Sequence, residues 1–274
     1  MSGTRVSING VDLYHEVHGT GRPLVVLHGG VLNAETCFAA MIPRLAEAHQ
    51  VIAVDLQGHG HTADTDRPVT LANFAADVVG LLDHLGVGRA DLFGFSLGSL
   101  VSIEMAVTYP ARVSRLVLAS GHIRADGYHP EIQDPAQTSP LLPTEEDFEA
   151  MRVAYEAVAP DPEQFFPFLE KMQPVVSEFE GWSDAAIGGV GGPTLLIVGD
   201  RDFVRLEHAA LMLELLPDAQ LAVLPGTTHM QVIRRTDALL ALVEPFLDGR
   251  PRTAASAVRA DPGGACRAEL ATNA

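Results

Sequence analysis

Cysteine is nearly missing from this chain. Two residues, Cys37 and Cys266, stand near opposite ends of 274 positions. One pair so far apart builds no disulfide scaffold, and without a Cys-x-x-Cys there is neither a zinc ribbon nor a thioredoxin-type redox site. Two free thiols in a reducing compartment are expected, hence a cytoplasmic protein. Positive charge is also scarce: 18 basic residues face 35 acidic ones, for a net charge of −17, and Lys171 is the single lysine. Nucleic acid needs a basic face, so it is excluded as a partner. Anionic membrane surfaces are disfavoured for the same reason. No apolar run approaches the ~18 residues of a membrane span, and the polar opening MSGTRVSING lacks the apolar core of a secretory signal. Apolar residues still make up 47% of the chain, enough to offset the entropy of ordering it, so a long disordered protein is excluded.

What is present alternates. Apolar, β-branched runs at residues 11–17, 24–27, 51–55, 91–95, 115–119, 194–198 and 221–224 read as strands. Helical patterns fall between them at 34–47, 71–85, 97–109 (stopped by Pro110), 206–216 and 237–247. Strand and helix in alternation predict an α/β fold, a mostly parallel sheet covered on both faces. Ligands of such sheets bind at the carboxyl ends of the strands.

Residues 122–190 break the rhythm. They hold no clear buried strand, but 8 of the 16 aromatic residues, with 14 acidic residues against 3 basic. This segment reads as a helical cap inserted into a core made of 1–121 and 191–249. The Gly-rich run at 188–193 reads as the hinge that returns the chain to the sheet; it lacks the Lys-Ser/Thr of a phosphate loop. Residues 250–274, rich in Ala, Arg and Gly, are expected to be a disordered tail.

The strongest chemical signal is Gly94-Phe95-Ser96-Leu97-Gly98, between an apolar run and a helical pattern. A serine on a tight strand-to-helix turn has its hydroxyl pushed out above the sheet, and the turn needs small residues two positions to either side. A serine hydroxyl is a weak nucleophile and needs a base and an orienting carboxylate. Gly199-Asp200-Arg201-Asp202 follows the strand at 194–198, and Pro225-Gly226-Thr227-Thr228-His229 follows the strand at 221–224. Both are loops at carboxyl ends, in the chain order serine, acid, histidine. Of the 11 histidines only His229 has this placement; Asp200 and Asp202 compete for the acid.

At this point residues 5–248 resemble the α/β-hydrolase family. Leu27-His28-Gly29-Gly30 is similar to the loop after its third strand, Asp55-Leu56-Gln57-Gly58-His59-Gly60 to the loop after its fourth, Gly94–Gly98 to its nucleophile elbow, Gly199-x-x-Asp202 to its acid loop and His229 to its base. The resemblance implies the triad Ser96, Asp202 and His229, with Asp200 left to cap the turn. It implies an oxyanion hole from the backbone N–H groups of Gly30 and Leu97, and a His28 that braces its loop. No cofactor is implied. His59-x-His61 lacks a third ligand, so no metal is expected.

Departures narrow the chemistry. Dehalogenases and epoxide hydrolases of the family use an aspartate where Ser96 stands. Hydrolases of meta-cleavage carbon–carbon bonds usually carry Trp after the base, where this chain has Met230. Hydroxynitrile lyases use a lysine near the base, and Lys171 lies in the inserted segment. An ester, lactone or thioester hydrolase remains, with a perhydrolase side activity open. The aromatic, acidic insertion suggests a bulky, apolar, neutral or cationic substrate such as a macrolactone, unless its carboxylates merely solvate the outer face. The alternative from another class is a slow or non-catalytic ligand receptor on the same scaffold. Oligomeric state is not legible.

Overall fold

The computed structural model describes residues 3–133 and 139–249. Eight strands form one sheet: β1 (Thr4–Ile8), β2 (Val11–His18), β3 (Arg22–Leu27), β4 (His49–Asp55), β5 (Ala90–Phe95), β6 (Val113–Ala119), β7 (Thr194–Arg201) and β8 (Ala219–Thr228). Their order is β1-β2-β4-β3-β5-β6-β7-β8. β1 and β2 are antiparallel to their neighbours, and the remaining six run parallel.

Seven of these strands coincide with the apolar runs; β1 was not expected. It has no fully buried residue, so no apolar run marks it. The signal it did leave is Asn9-Gly10, with φ of 50° and 84°, a pair suited to the two-residue turn that joins β1 to β2.

Side chains alternate across the parallel strands, and both sets are buried. Leu24 and Val26 of β3, Phe93 and Phe95 of β5, and Leu195 and Ile197 of β7 pack into one apolar layer. Val25 and Leu27, Leu92, and Leu196 pack into the other. The first layer is closed by α1 (Ala34–Phe38), α2 (Ile42–Leu45) and, late in the chain, the helix Thr236–Leu247. The second is closed by α3 (Leu71–His84), α4 (Leu97–Thr108) and the helix Leu206–Leu215. The single helix expected at 34–47 is two short ones. Pro43 has no N–H for a continuous ladder and stands instead in the first turn of α2.

Between β6 and β7 lie α5 (Pro130–Gln133), α6 (Glu145–Val158), α7 (Phe165–Ser177) and α8 (Asp184–Gly188), and among the described residues no strand of the sheet. The last three helices are α9 (Leu206–Leu215), α10 (His229–Val232) and α11 (Thr236–Leu247). α6 opens with a capping box between Thr144 and Asp147. α7 turns Phe165 and Phe168 onto the α3–α4 layer. The expected tail, 250–274, lies outside the described residues.

Candidate active site

Ser96 directly follows β5 and precedes α4 with φ 52° and ψ −114°, a backbone conformation that non-glycine residues rarely adopt. The flanking glycines are needed for close approach. A Cβ at Gly94 would lie 2.2 Å from Gly98 O, and one at Gly98 would lie 2.0 Å from Leu27 O. The turn is further tied by the Ser96 N–H, which donates to Ala119 O at 2.8 Å. Leu97 is the first residue of α4, so its N–H belongs to the group that finds no acceptor within the helix. The turn Gly29–Leu32 beside it is closed by the Leu32 N–H donating to Gly29 O at 3.2 Å.

His229 is the first residue of α10, whose start is set by a capping box between Thr228 and Gln231. Its Nε2 is 2.9 Å from Ser96 Oγ and its Nδ1 is 2.6 Å from Asp202 Oδ1. Phe203 stacks on the imidazole, with centroids 4.0 Å apart and planes 7° from parallel. Asp202 is buried and accepts bonds on both oxygens. Oδ1 takes His229 and the Val204 N–H at 3.3 Å; Oδ2 takes the Ser120 hydroxyl at 2.6 Å and the Gly199 N–H at 3.3 Å. Burial alone would push this carboxyl up, but His229, Ser120 and the Val204 N–H together outweigh it and hold it below the ordinary range.

The "alpha/beta hydrolase fold" family model matches residues 22–147. The chain has the α/β-hydrolase fold. It is 28% identical over 244 residues to a candidate carbamate hydrolase, RutD, of Azorhizobium caulinodans, covering 80% of this chain and 88% of that one. It is 27% identical over 248 residues to a 2-hydroxymuconate semialdehyde hydrolase of Pseudomonas putida, covering 84% and 88%. Among solved structures it is similar to the meta-cleavage product hydrolase CumD of Pseudomonas fluorescens IP01, with a TM-score of 0.76 and 25% identity over 90% of this chain and 98% of that one. The relatives and the solved structure it resembles here are all named as hydrolases.

Within this fold the two candidate acids separate cleanly. Asp202 meets His229. Asp200 is exposed, and its Oδ1 accepts from the Thr227 N–H at 3.1 Å, tying the acid loop to the histidine loop. His28 is buried with Nδ1 against Gly29 O at 2.8 Å, and its Nε2 accepts from the Leu56 N–H at 3.0 Å. It bridges the loops after β3 and β4. The two histidines of His59-x-His61 diverge: His59 bonds Gln57 O at 2.9 Å inside the core, and His61 bonds Asp55 Oδ2 at 2.9 Å beside Tyr14. Among the described residues no cluster of three metal-ligating side chains occurs.

Ser96 and His229 open into a pocket of about 230 Å³. Gly30 borders it, along with Leu32, Ile132, Met151 and Met230, and among the described residues no Asp, Glu, Lys or Arg lines it. Of the eight aromatic residues in 122–190 only Tyr128 reaches this pocket. Tyr155, Phe165 and Phe168 are spent on the core, and Phe179 packs edge-on against Trp182. A larger hollow of about 620 Å³ beside β2 and α2 is lined by Glu16, Glu35 and Asp55, but no serine, threonine or cysteine lines it among the described residues.

Sequence reasoning missed two neighbours of the relay. Phe203 directly follows the acid, and an aromatic there could have been noticed. Ser120 left no signal, because 82 positions separate it from Asp202.

Proposed function

We propose that the protein is a serine hydrolase of neutral, compact carboxylic esters or lactones. Ser96 is the nucleophile, His229 the base, Asp202 its orienting acid, and the Gly30 and Leu97 N–H groups the oxyanion hole. The observation that supports this best is the Ser96–His229–Asp202 relay opening into an apolar pocket with no carboxylate or cation among the described residues of its lining. Charge, and not volume alone, then selects the acyl group. At about 230 Å³ the pocket favours a short acyl chain over the macrolactone expected from the sequence, since drug-sized ligands occupy roughly 300–1,000 Å³. Most of the described carboxylates of 122–190 are exposed and none of them lines the pocket, which weakens the reason to expect a cationic substrate.

The chemistry follows from the geometry. His229 Nε2 takes the proton of Ser96 Oγ as that oxygen attacks the acyl carbon. The oxyanion forms beside the N–H groups, which are aimed there in advance. When the C–O bond breaks, His229 returns the proton to the leaving alkoxide. Water then repeats the sequence on the acyl-enzyme and releases the acid. Residues 122–190 act as a lid: Tyr128, Ile132, Pro143 and Met151 complete the pocket.

With p-nitrophenyl acetate and butyrate, repeated turnover is expected, unchanged by a chelator, and Ser96→Ala should lower kcat at least ~10³-fold while the protein stays folded. A single slow turnover would favour the receptor. Retained activity in Ser96→Ala would end the reading. A second reading, carbon–carbon bond hydrolysis, is favoured by the Pseudomonas relatives. It calls for an anionic dienoate, for which this lining offers no cation, so 2-hydroxymuconate semialdehyde should be turned over far more slowly than the neutral esters.

A further inference from the structure

We propose that Ser120 is a positioning residue, whose hydroxyl holds the Asp202 carboxylate in the plane that points Oδ1 at His229. The inference rests on the hydrolase reading above. β6 ends at Ala119, yet the Ser120 N–H carries the ladder one step further by donating to Ile197 O at 2.8 Å. That anchors residue 120 beside the carboxyl end of β7, where the acid loop begins. There the backbone turns to φ 55°, the left-handed region, which costs a non-glycine residue strain. Glycine would satisfy this backbone more easily. The presence of serine is accounted for by what its side chain does.

The side chain makes one contact of note, from Oγ to Asp202 Oδ2 at 2.6 Å, with both residues buried. An ionised carboxylate only accepts, so the serine proton lies on this bond. The other two donors to Asp202, the Gly199 and Val204 N–H groups, stand at 3.3 Å and hold the group weakly. Without Ser120 only His229 itself would hold the carboxylate at short range. The bond also spreads the negative charge of Asp202. Its loss leaves Oδ1 more basic, and the Asp202–His229 pair would keep its proton to higher pH.

The experiment compares wild type with Ser120→Ala, Ser120→Gly and Ser96→Ala on p-nitrophenyl acetate, reading kcat, KM, the pH profile and the melting temperature. Alanine removes the hydroxyl and keeps the strain; glycine removes both. Both variants are expected to lose about 10- to 100-fold in kcat with KM nearly unchanged. The acid limb of kcat/KM should move to higher pH. The loss should persist in Ser120→Gly even though that variant folds at least as well as Ser120→Ala, and should Ser120→Ala fail to fold, the glycine variant decides. A Ser120→Gly enzyme with kcat within about twofold of wild type and an unmoved acid limb overturns the proposal, as does a loss confined to KM. Activity retained by Ser96→Ala refutes instead the reading on which it rests.

Discussion

Two aspartates stand two positions apart at the carboxyl end of β7, and residue type alone could not choose between them. Their surroundings do. Asp202 lies 2.6 Å from His229 Nδ1 and takes three further donors, whereas Asp200 faces water and braces Thr227. Asp202→Asn should therefore cost roughly 10⁴-fold in kcat, because an amide holds the wrong imidazole tautomer. Asp200→Asn keeps an acceptor for Thr227 and should stay within about threefold of wild type. Steady-state kinetics on one neutral ester ranks the two; the reverse ranking would reassign the acid. The glycine spacing that favoured Asp202 was in the sequence. The Ser120 bond was not, since it depends on two strand ends meeting.

Among the elements, α7 shows how a helix can be legible while its purpose is not. Its aromatic residues read equally well as a ligand cradle or as a core face, because helical spacing is the same for both. In the fold Phe168 is buried against the loop after β4: a Cβ at Gly58 would lie 2.0 Å from its ring, and the His59 ring meets it edge-on at 4.9 Å. Phe168→Ala should cost about 3–5 kcal/mol by opening a cavity under α7. Thr144→Ala, which removes the capping oxygen of α6, should cost only about 0.5–2 kcal/mol. Urea denaturation with a common slope tests both. Equal costs would mean that α7 is not anchored through Phe168.

For the molecule as a whole, acid sensitivity follows from buried imidazoles. Burial pushes His59 and His122 down to about 3 and His208 down to about 4, against an ordinary value of 6.5. Between those values and 6.5 the unfolded chain binds protons that the folded chain refuses, so stability rises with pH across this window and falls as pH drops through it. Each histidine should withdraw up to about 2 kcal/mol between pH 6.5 and 5. Asp202, depressed by its partners, acts lower: its contribution is present above the unfolded carboxyl value and is lost as pH falls through the folded one. Melting temperature measured from pH 7.5 to 5 should fall steeply below 6.5, and His59→Asn should flatten that slope. A flat profile in wild type would show that these rings are protonated in the fold.

The sequence by itself determined the alternation of strands and helices, the elbow at Ser96, and the order of serine, acid and histidine. These follow from local physics: hydrophobic period, glycine at a crowded turn, and loops at strand ends. Three features were decided only in three dimensions. β1 is paired by a hairpin and buries almost nothing, so composition hid it. Three of the eight aromatic residues of 122–190 went to the core and only one to the pocket, because a side chain's burial partner is chosen by packing and not by its neighbours in the chain. Ser120 joined Asp202 because β6 and β7 lie side by side in the sheet, a contact between distant positions that no local pattern encodes.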